Sequence, residues 1–202
     1  MALNFISAQE AAEHIKNGDN VGFSGFTASG TPKVVTEALA ELAIKEHEAG
    51  REFKINMFTG ASTNDHVDGA LARANAINMR TPYQSNADLR KRLNSHDAHY
   101  FDLHLSELAQ KMRYGVFGKL DVAILEVADI DDNGDIVLGT GMGISPTIAM
   151  LADKVIIELN EAAISCKSIS KRCKIGKIRQ GSVKRRIGDI GIGIGIDTNI
   201  PK

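Results

Sequence analysis

Residues 120–127, LDVAILEV, set the narrowest limits on how this chain can fold. The segment is almost continuously apolar over the length of one strand, which is typical of a parallel strand that is covered on both faces. Residues 153–159, DKVIIEL, repeat the pattern after a short helical segment at residues 147–151. Strands that alternate with helices in this way predict an α/β fold with a mostly parallel sheet flanked by helices.

The amino-terminal half of the chain continues this alternation. Ser7 and Glu10 have the spacing of a capping box, which predicts that a helix begins near Ser7. Pro32 suits the first turn of a second helix, in which apolar residues from Val34 to Leu42 lie at helical spacing. The remaining predicted elements are strands at residues 21–26, 53–58 and 76–79, a short extended segment at 99–102, helices at 67–73, 89–93 and 105–114, and a glycine-weakened edge strand at 190–196.

The composition is that of an ordinary globular chain. Of the 202 residues, 43% are hydrophobic and 24% are charged, and the net charge is −1. No apolar run approaches the roughly 18 residues that a membrane span requires, and the amino terminus lacks the pattern of a secretory signal. Cys166 and Cys173 are not spaced as a zinc or redox motif. We therefore expect a cytoplasmic protein that binds neither a membrane nor a metal.

The charge is distributed unevenly along the chain. Residues 1–161 carry a net charge of −9, whereas residues 162–202 carry +8. The second stretch takes nearly all of its apolar character from isoleucine, so it cannot build an interlocking core alone. We predict one α/β domain over residues 1–161, followed by an atypical basic segment, 162–202, that is a candidate closing strand of the same domain. The basic residues lack interleaved aromatic residues for base stacking, so we expect no nucleic-acid partner.

Three loops follow predicted strands: a first loop (residues 25–32), a second loop (residues 59–65) and a third loop (residues 139–146). Ligands of open parallel sheets bind beyond the carboxyl ends of the strands, so these loops are the candidate site. Gly25 and Gly30 have the spacing of a P-loop, but Thr31 and Pro32 stand where a lysine and a hydroxyl residue are required. The third loop runs G-x-G-x-G and does not match the dinucleotide-binding fingerprint either.

Other chemical groups give weaker indications. His96, His99 and His104 could bind a metal together with nearby aspartates, but surface histidines are more common. Glu126 ends the best-defined strand and could act as a carboxylate nucleophile, although a solvated or ion-paired glutamate is the more common outcome. The residues by themselves therefore indicate a site for a phosphate-bearing or carboxylate ligand and no particular reaction.

Residues 22–33, GFSGFTASGTPK, resemble a signature of the acetyl-CoA hydrolase/transferase family, which includes succinyl-CoA:acetate and 4-hydroxybutyrate CoA-transferases. The resemblance extends over residues 5–160, and residues 162–190 lie outside it. Further blocks that resemble the family are residues 58–62 (FTGAS), 80–85 (RTPYQS), 102–106 (DLHLS), 118–126 (GKLDVAILE), 145–147 (SPT) and 152–155 (ADKV).

The resemblance implies the CoA-transferase fold, also described as NagB/RpiA/CoA-transferase-like. Members of this family pass coenzyme A between carboxylates through a glutamyl anhydride and a glutamyl-CoA thioester, or hydrolyse acetyl-CoA. Their attacking glutamate belongs to a second domain, so we expect no catalytic residue within this chain. The alternative is a non-catalytic remnant that binds a CoA ester or a partner domain.

The same resemblance implies which residues face the substrates. We expect an acyl-CoA and a small carboxylate as ligands, no cofactor other than the coenzyme A thioester that is the substrate, and either a homo-oligomer or a catalytic second domain as partner. The expected substrate-binding residues are Phe26, Thr27, Ala28, Gly30, Lys33, Ser62 and Thr81.

Overall fold

The structure, a computed structural model, describes residues 5–61, 63–130, 135–160, 162–163, 174–175 and 192–193. The strands in chain order are β1 (Phe5–Ile6), β2 (Asn20–Phe23), β3 (Ile55–Phe58), β4 (Ile77–Thr81), β5 (His99–Tyr100), β6 (Val122–Val127), β7 (Asp129–Ile130), β8 (Ile136–Val137), β9 (Lys154–Leu159), β10 (Lys174–Ile175) and β11 (Ile192–Gly193). The helices are α1 (Ala8–Glu13), α2 (Val34–Glu48), a π-helical turn (Asp65–Gly69), α3 (Ala70–Arg73), α4 (Ala87–Asn94), α5 (Leu105–Arg113) and α6 (Ser145–Leu151).

A parallel eight-stranded sheet in the order β1-β11-β9-β6-β2-β3-β4-β5 forms the centre of the molecule. Strands β7, β8 and β10 form a separate antiparallel sheet of three strands. The predicted α/β class with a mostly parallel sheet is confirmed. The predicted division of the chain at residue 161 stays a prediction.

Strand β6 shows why the sheet is buried on both faces. All six of its residues are buried, and the side chains of residues 122–125 alternate between two apolar clusters. Val122 and Ile124 belong to the cluster that includes residues of α1 to α4, whereas Ala123 and Leu125 belong to the cluster that includes residues of α5 and α6. The near-continuous apolar sequence therefore reflects two covered faces, as predicted.

Helices α1 and α2 differ in how their first N–H groups are capped. Ser7 caps α1 through the predicted box, since its Oγ accepts the Glu10 N–H while the Glu10 carboxylate accepts the Ser7 N–H. Helix α2 begins one residue after Lys33, whose side chain makes no capping hydrogen bond. Pro32 thus precedes the helix instead of lying in its first turn. The exposed N–H groups of α2 require acceptors from elsewhere in the fold.

Some predicted elements differ from the structure. Strand β2 ends at Phe23 because Gly25 adopts a φ of 115°, which turns the chain away from the sheet. Residues 192–193 form a strand, but the predicted edge position is wrong because β11 pairs with β1 on one side and β9 on the other. The third loop follows β8 of the small sheet instead of a strand of the main sheet.

Among the described residues, no helix combines the length and the apolar character that a transmembrane segment needs.

Candidate functional site

The first and second loops lie side by side because they follow the neighbouring strands β2 and β3. The Thr27 N–H donates to the Ala61 carbonyl at 2.9 Å, and the Thr63 N–H donates to the Thr27 carbonyl at 3.3 Å. The first loop also folds on itself, since the N–H groups and carbonyls of Phe26 and Ser29 bond reciprocally. These contacts fix two loops at the carboxyl edge of the sheet.

Thr27 adopts a backbone conformation that is unfavourable for its side chain. Its φ is 52°, in the left-handed region, where a β-branched residue is rare and strained. Such strain persists only where surrounding contacts hold it, and it is concentrated at ligand-binding and active sites. The position of Thr27 therefore supports the first loop as part of a functional site.

The glycines of the third loop allow its backbone to pack against the first loop. A Cβ atom at Gly143 would lie 2.2 Å from the Gly25 carbonyl oxygen, and one at Gly30 would lie 2.6 Å from the Gly141 carbonyl oxygen. The hydroxyls of Ser29 and Thr140 are hydrogen-bonded at 2.8 Å. Close packing between the two loops explains why glycine occupies these positions.

Thr81 ends β4 with a buried hydroxyl that has no hydrogen-bond partner among the described residues. Its side chain has 0% exposure, and its Oγ1 makes no hydrogen bond to any residue that the structure describes. The Gln84 Oε1, three residues later, is also buried and has no partner in the described part of the chain. Buried polar atoms in native proteins are almost always hydrogen-bonded, so two unpaired oxygens in one short segment require an explanation such as a ligand or an ordered water.

A buried ion pair between Arg80 and Asp68 stabilises the backbone of this segment. The Arg80 guanidinium donates to both carboxylate oxygens of Asp68, at 2.8 and 3.2 Å, and both side chains are fully buried. Arg80 also donates to the Thr81 carbonyl at 2.7 Å. Burial raises the pKa of Asp68, while the Arg80 charge and hydrogen bonds act in the opposite direction. The ion pair fixes the backbone from which the Thr81 hydroxyl projects.

Lys33 connects the end of the first loop to two central strands. Its Nζ forms an ion pair with Glu126 at the end of β6, while its backbone N–H donates to the Glu158 carboxylate of β9 at 2.9 Å. Glu158 also accepts the Val35 N–H at 3.1 Å and thus caps α2 from a distant part of the chain. Burial raises the pKa of Glu158, opposed by these backbone hydrogen bonds, and the nearby Glu126 charge raises it further.

The structure groups most of the sequence-predicted substrate residues at one edge of the sheet. Phe26, Thr27, Ala28 and Gly30 share the first loop, and Phe26 is 54% exposed. Thr81 lies beside the second loop, because the Thr59 N–H donates to the Thr81 carbonyl. Lys33 differs from a free cation, since Glu126 already binds it. Ser62 lies outside the described residues.

Sequence reasoning missed two members of this region. The sequence places Gln84 in a block that resembles the family and Glu158 in a predicted strand, and it predicts a role for neither residue. The strand register could have pointed to Glu158, because Glu126 and Glu158 occupy corresponding positions of two similar apolar segments. No pattern in the sequence marks Gln84, because its isolation follows from three-dimensional packing.

The chemistry of this region is that of a binding surface. In the part of the chain that the structure covers, no three metal-binding side chains come together. Glu126 is held by Lys33, which does not suit a free carboxylate nucleophile. A cavity of about 220 Å³ lies at the other end of β2 and β6, beside Asn20 and Leu120, and is separate from these loops. The region can hold a polar ligand through hydroxyl, N–H and ammonium donors.

Comparison with known proteins identifies the family. A family model described as the acetyl-CoA hydrolase/transferase N-terminal domain matches residues 2–174. The chain belongs to the acetyl-CoA hydrolase/transferase family. It is 44% identical over 155 residues to propanoyl-CoA:succinate CoA transferase of Escherichia coli, covering 77% of this chain. It is 45% identical over 157 residues to succinyl-CoA:acetate CoA-transferase of Clostridium kluyveri, covering 78% of this chain.

Matches within this family include hydrolases as well as transferases. Acetyl-CoA hydrolase of Saccharomyces cerevisiae is 37% identical over 169 residues, which covers 80% of this chain. The chain spans only 32%, 29% and 32% of the lengths of the Escherichia coli, Clostridium and yeast relatives. The family relationship therefore concerns the amino-terminal part of much longer enzymes.

Solved structures agree with the fold. RipA from Yersinia pestis superposes with a TM-score of 0.69 at 18% identity, covering 95% of this chain and 42% of that one. Glutaconate coenzyme A-transferase from Acidaminococcus fermentans superposes with a TM-score of 0.67 at 12% identity, covering 95% of this chain and 75% of that one. These likenesses confirm the predicted CoA-transferase-like α/β fold.

Proposed function

We propose that this chain forms one wall of an acyl-CoA site, at which coenzyme A moves from an acyl-CoA thioester to a small carboxylate or the thioester is hydrolysed. The glutamate that forms the glutamyl-CoA intermediate would come from a second domain outside this chain. The relatives named for CoA transfer and for acetyl-CoA hydrolysis support this proposal. They favour it over a non-catalytic binding remnant.

The unpaired hydroxyl of Thr81 is the observation that carries the proposal. A buried hydroxyl without a partner destabilises the folded chain by about 1–3 kcal/mol. Because Thr81 is fully buried, a ligand oxygen would remove that penalty only after the neighbouring residues move to open a path to the hydroxyl. A carboxylate or thioester oxygen is a suitable acceptor for the Thr81 O–H. The adjacent Gln84 Oε1 would accept a hydrogen bond from a donor group of the same ligand.

The first loop offers further donors at the same edge. The N–H groups of Ala28 and Gly30 have no acceptor among the described residues. Paired backbone N–H groups can hold a carboxylate and stabilise charge that develops on its oxygens. We assign the carboxylate to Ala28, Gly30 and Thr81, and an apolar acyl contact to the exposed ring of Phe26. Thr27, Lys33 and Ser62 complete the proposed substrate wall.

The proposal also covers the cellular location, the cofactor requirement and the partner of the chain. We propose a cytoplasmic location, no cofactor besides the thioester substrate, and association through either a second copy or a catalytic second domain. Tyr114 and Val116 are 74% and 58% exposed, which supplies apolar surface for such a partner.

A chimeric enzyme tests the proposal directly. Residues 5–160 of this chain would replace the matching segment of the Escherichia coli relative, and thioester exchange from acetyl-CoA to succinate would be measured together with release of free coenzyme A. We expect exchange or hydrolysis by the chimera and neither by this chain alone. A folded chimera that binds acetyl-CoA without turnover would favour the non-catalytic alternative, and activity of the isolated chain would place the nucleophile within it.

A further inference from the structure

The ammonium group of Lys33 is held by two acceptors from different parts of the fold. Its Nζ donates to the Thr31 carbonyl at 3.0 Å and to the Glu126 carboxylate. The Lys33 side chain remains 27% exposed, whereas the Glu126 side chain is only 6% exposed. Glu126 therefore holds the lysine from the interior while part of the lysine side chain faces solvent.

Among the contacts with described residues, this arrangement leaves one N–H group of the Lys33 ammonium without an acceptor. A lysine ammonium has three N–H groups in tetrahedral geometry and accepts no hydrogen bond. Once two of these groups are directed at Thr31 and Glu126, the direction of the third is fixed. A flexible surface lysine would lose side-chain entropy on binding a ligand, but much of that entropy is already lost here.

Further hydrogen bonds hold Glu126 and the backbone of Lys33 in place. The Glu126 N–H donates to the Ser24 Oγ at 2.8 Å, and that hydroxyl donates to the Gly30 carbonyl at 2.7 Å. Glu158 lies opposite Glu126 in the register of β6 and β9 and accepts the backbone N–H of Lys33. The side chain and the backbone of Lys33 are thus tied to adjacent strands of the sheet.

We propose that Glu126 is a positioning residue that acts through Lys33, directing the third N–H of the ammonium group toward an anionic group of the ligand. The proposal rests on the proposed function, because the ligand is the carboxylate or the acyl-CoA assigned above. Glu126 itself does not touch the ligand and does not act as a nucleophile.

The mobility of the Lys33 ammonium group tests the positioning step without any ligand. Hydrogen exchange of the Lys33 Nζ group would be measured by NMR in the ¹⁵N-labelled 202-residue chain, in Glu126→Gln and in Glu107→Gln. Glu107 is a matched control, because it pairs with Lys111 on the exposed face of α5 at 3.4 Å. We expect exchange at Lys33 to accelerate at least tenfold in Glu126→Gln alone. Equal exchange in all three proteins would overturn the proposal.

A double-mutant cycle separates positioning from a general loss of structure. Succinate and acetyl-CoA affinities would be measured for the wild type, Glu126→Gln, Lys33→Met and the double variant. If Glu126 acts through Lys33, we expect Glu126→Gln to weaken binding of at least one ligand and the double variant to match Lys33→Met. Additional loss in the double variant would contradict that coupling. Absence of binding by the wild type would count against the proposed function, and the exchange measurement would then decide the positioning role.

Discussion

Gly141 lies directly against the Ser29 carbonyl, so that a Cβ atom at position 141 would be 2.0 Å from that oxygen. The neighbouring atom is backbone and cannot rotate away, in contrast to the end of a flexible side chain. Because Ser29 belongs to the first loop, the third loop supports the loop that carries most of the proposed substrate contacts. The two loops therefore form one structural unit.

Gly141→Ala tests this unit. The added methyl group must displace the first loop, so we expect the free energy of unfolding to fall by about 1–3 kcal/mol and the amide signals of the first loop to shift. Gly50→Ala is the control, because its methyl group would meet no atom within 4 Å although its φ is 75°. Urea unfolding and ¹H–¹⁵N spectra measure both effects. Gly141 does not have a positive φ, so Gly50→Ala shows the cost of backbone strain without a steric contact. A Gly141→Ala protein with wild-type stability and unshifted first-loop signals would contradict the contact between the loops.

Thr81→Val should separate stability from binding. Valine has nearly the same shape but removes the unpaired hydroxyl, so we expect the free energy of unfolding to rise by about 1–3 kcal/mol while binding of succinate or acetyl-CoA weakens. Thr31→Val is the matched control. The Thr31 hydroxyl is paired with Asn64 at 2.7 Å and Ala28 at 3.3 Å, so its loss should lower stability. A destabilised Thr81→Val protein would contradict the assignment of Thr81.

Glu158 should give the chain a measurable pH dependence of stability. Burial raises its pKa above the ordinary 4.5, so above pH 4.5 the native state retains a proton that the unfolded chain has lost. The contribution of Glu158 to the free energy of unfolding therefore falls as the pH rises from 4.5 through the native pKa of Glu158. The slope is at most about 1.4 kcal/mol per pH unit. This carboxylate is faced by Glu126, Lys33 and the N–H groups of α2. These groups shift the pH at which the change in stability is half complete.

The stability of Glu158→Gln relative to the wild type measures this effect. Glutamine does not titrate, so the difference in free energy of unfolding between the two proteins should change between pH 4.5 and pH 7.5 in favour of the variant. Urea unfolding at several pH values provides the comparison, and carboxylates common to both proteins cancel. A pH-independent difference would show that Glu158 has the same pKa in both states.

Arg80→Met should be among the most damaging single substitutions at this site. It leaves the buried Asp68 carboxylate without its cation, so we expect a loss of about 3–5 kcal/mol in the free energy of unfolding. Replacing Asp68 with leucine in the Arg80→Met protein should recover part of that loss, because no unpaired buried charge would remain at this position. Lys111→Met, which breaks an exposed pair, should change stability by about 1 kcal/mol or less. Similar losses for both single variants would refute the prediction.

Much of the fold follows from patterns that act over short distances. The apolar run that became β6 and the capping box at Ser7 predict their elements because each depends on neighbouring residues and on burial. The two-residue strands β1 and β11 carry no comparable signal. Their pairing depends on partners far along the chain, which explains why β11 was assigned to an edge although it lies between two strands.

The site was predictable to the level of loops and family motifs. Phe26 and Thr81 could be named from the resemblance, but the unpaired state of the Thr81 hydroxyl depends on packing that no local pattern encodes. The predicted alternatives for Glu126 included an ion pair, and the structure shows one with Lys33. The two residues are 93 positions apart, so only the sheet register brings them together.

The distance in sequence between Glu158 and the helix that it caps has a consequence for protein synthesis. Lys33 and the start of α2 emerge from the ribosome more than a hundred residues before the Glu158 carboxylate, which accepts the N–H groups of Lys33 and Val35. Until β9 has been translated and added to the sheet, the start of α2 has only water as acceptor. We therefore expect the proposed substrate wall to reach its final form late in folding, after the helix itself has formed.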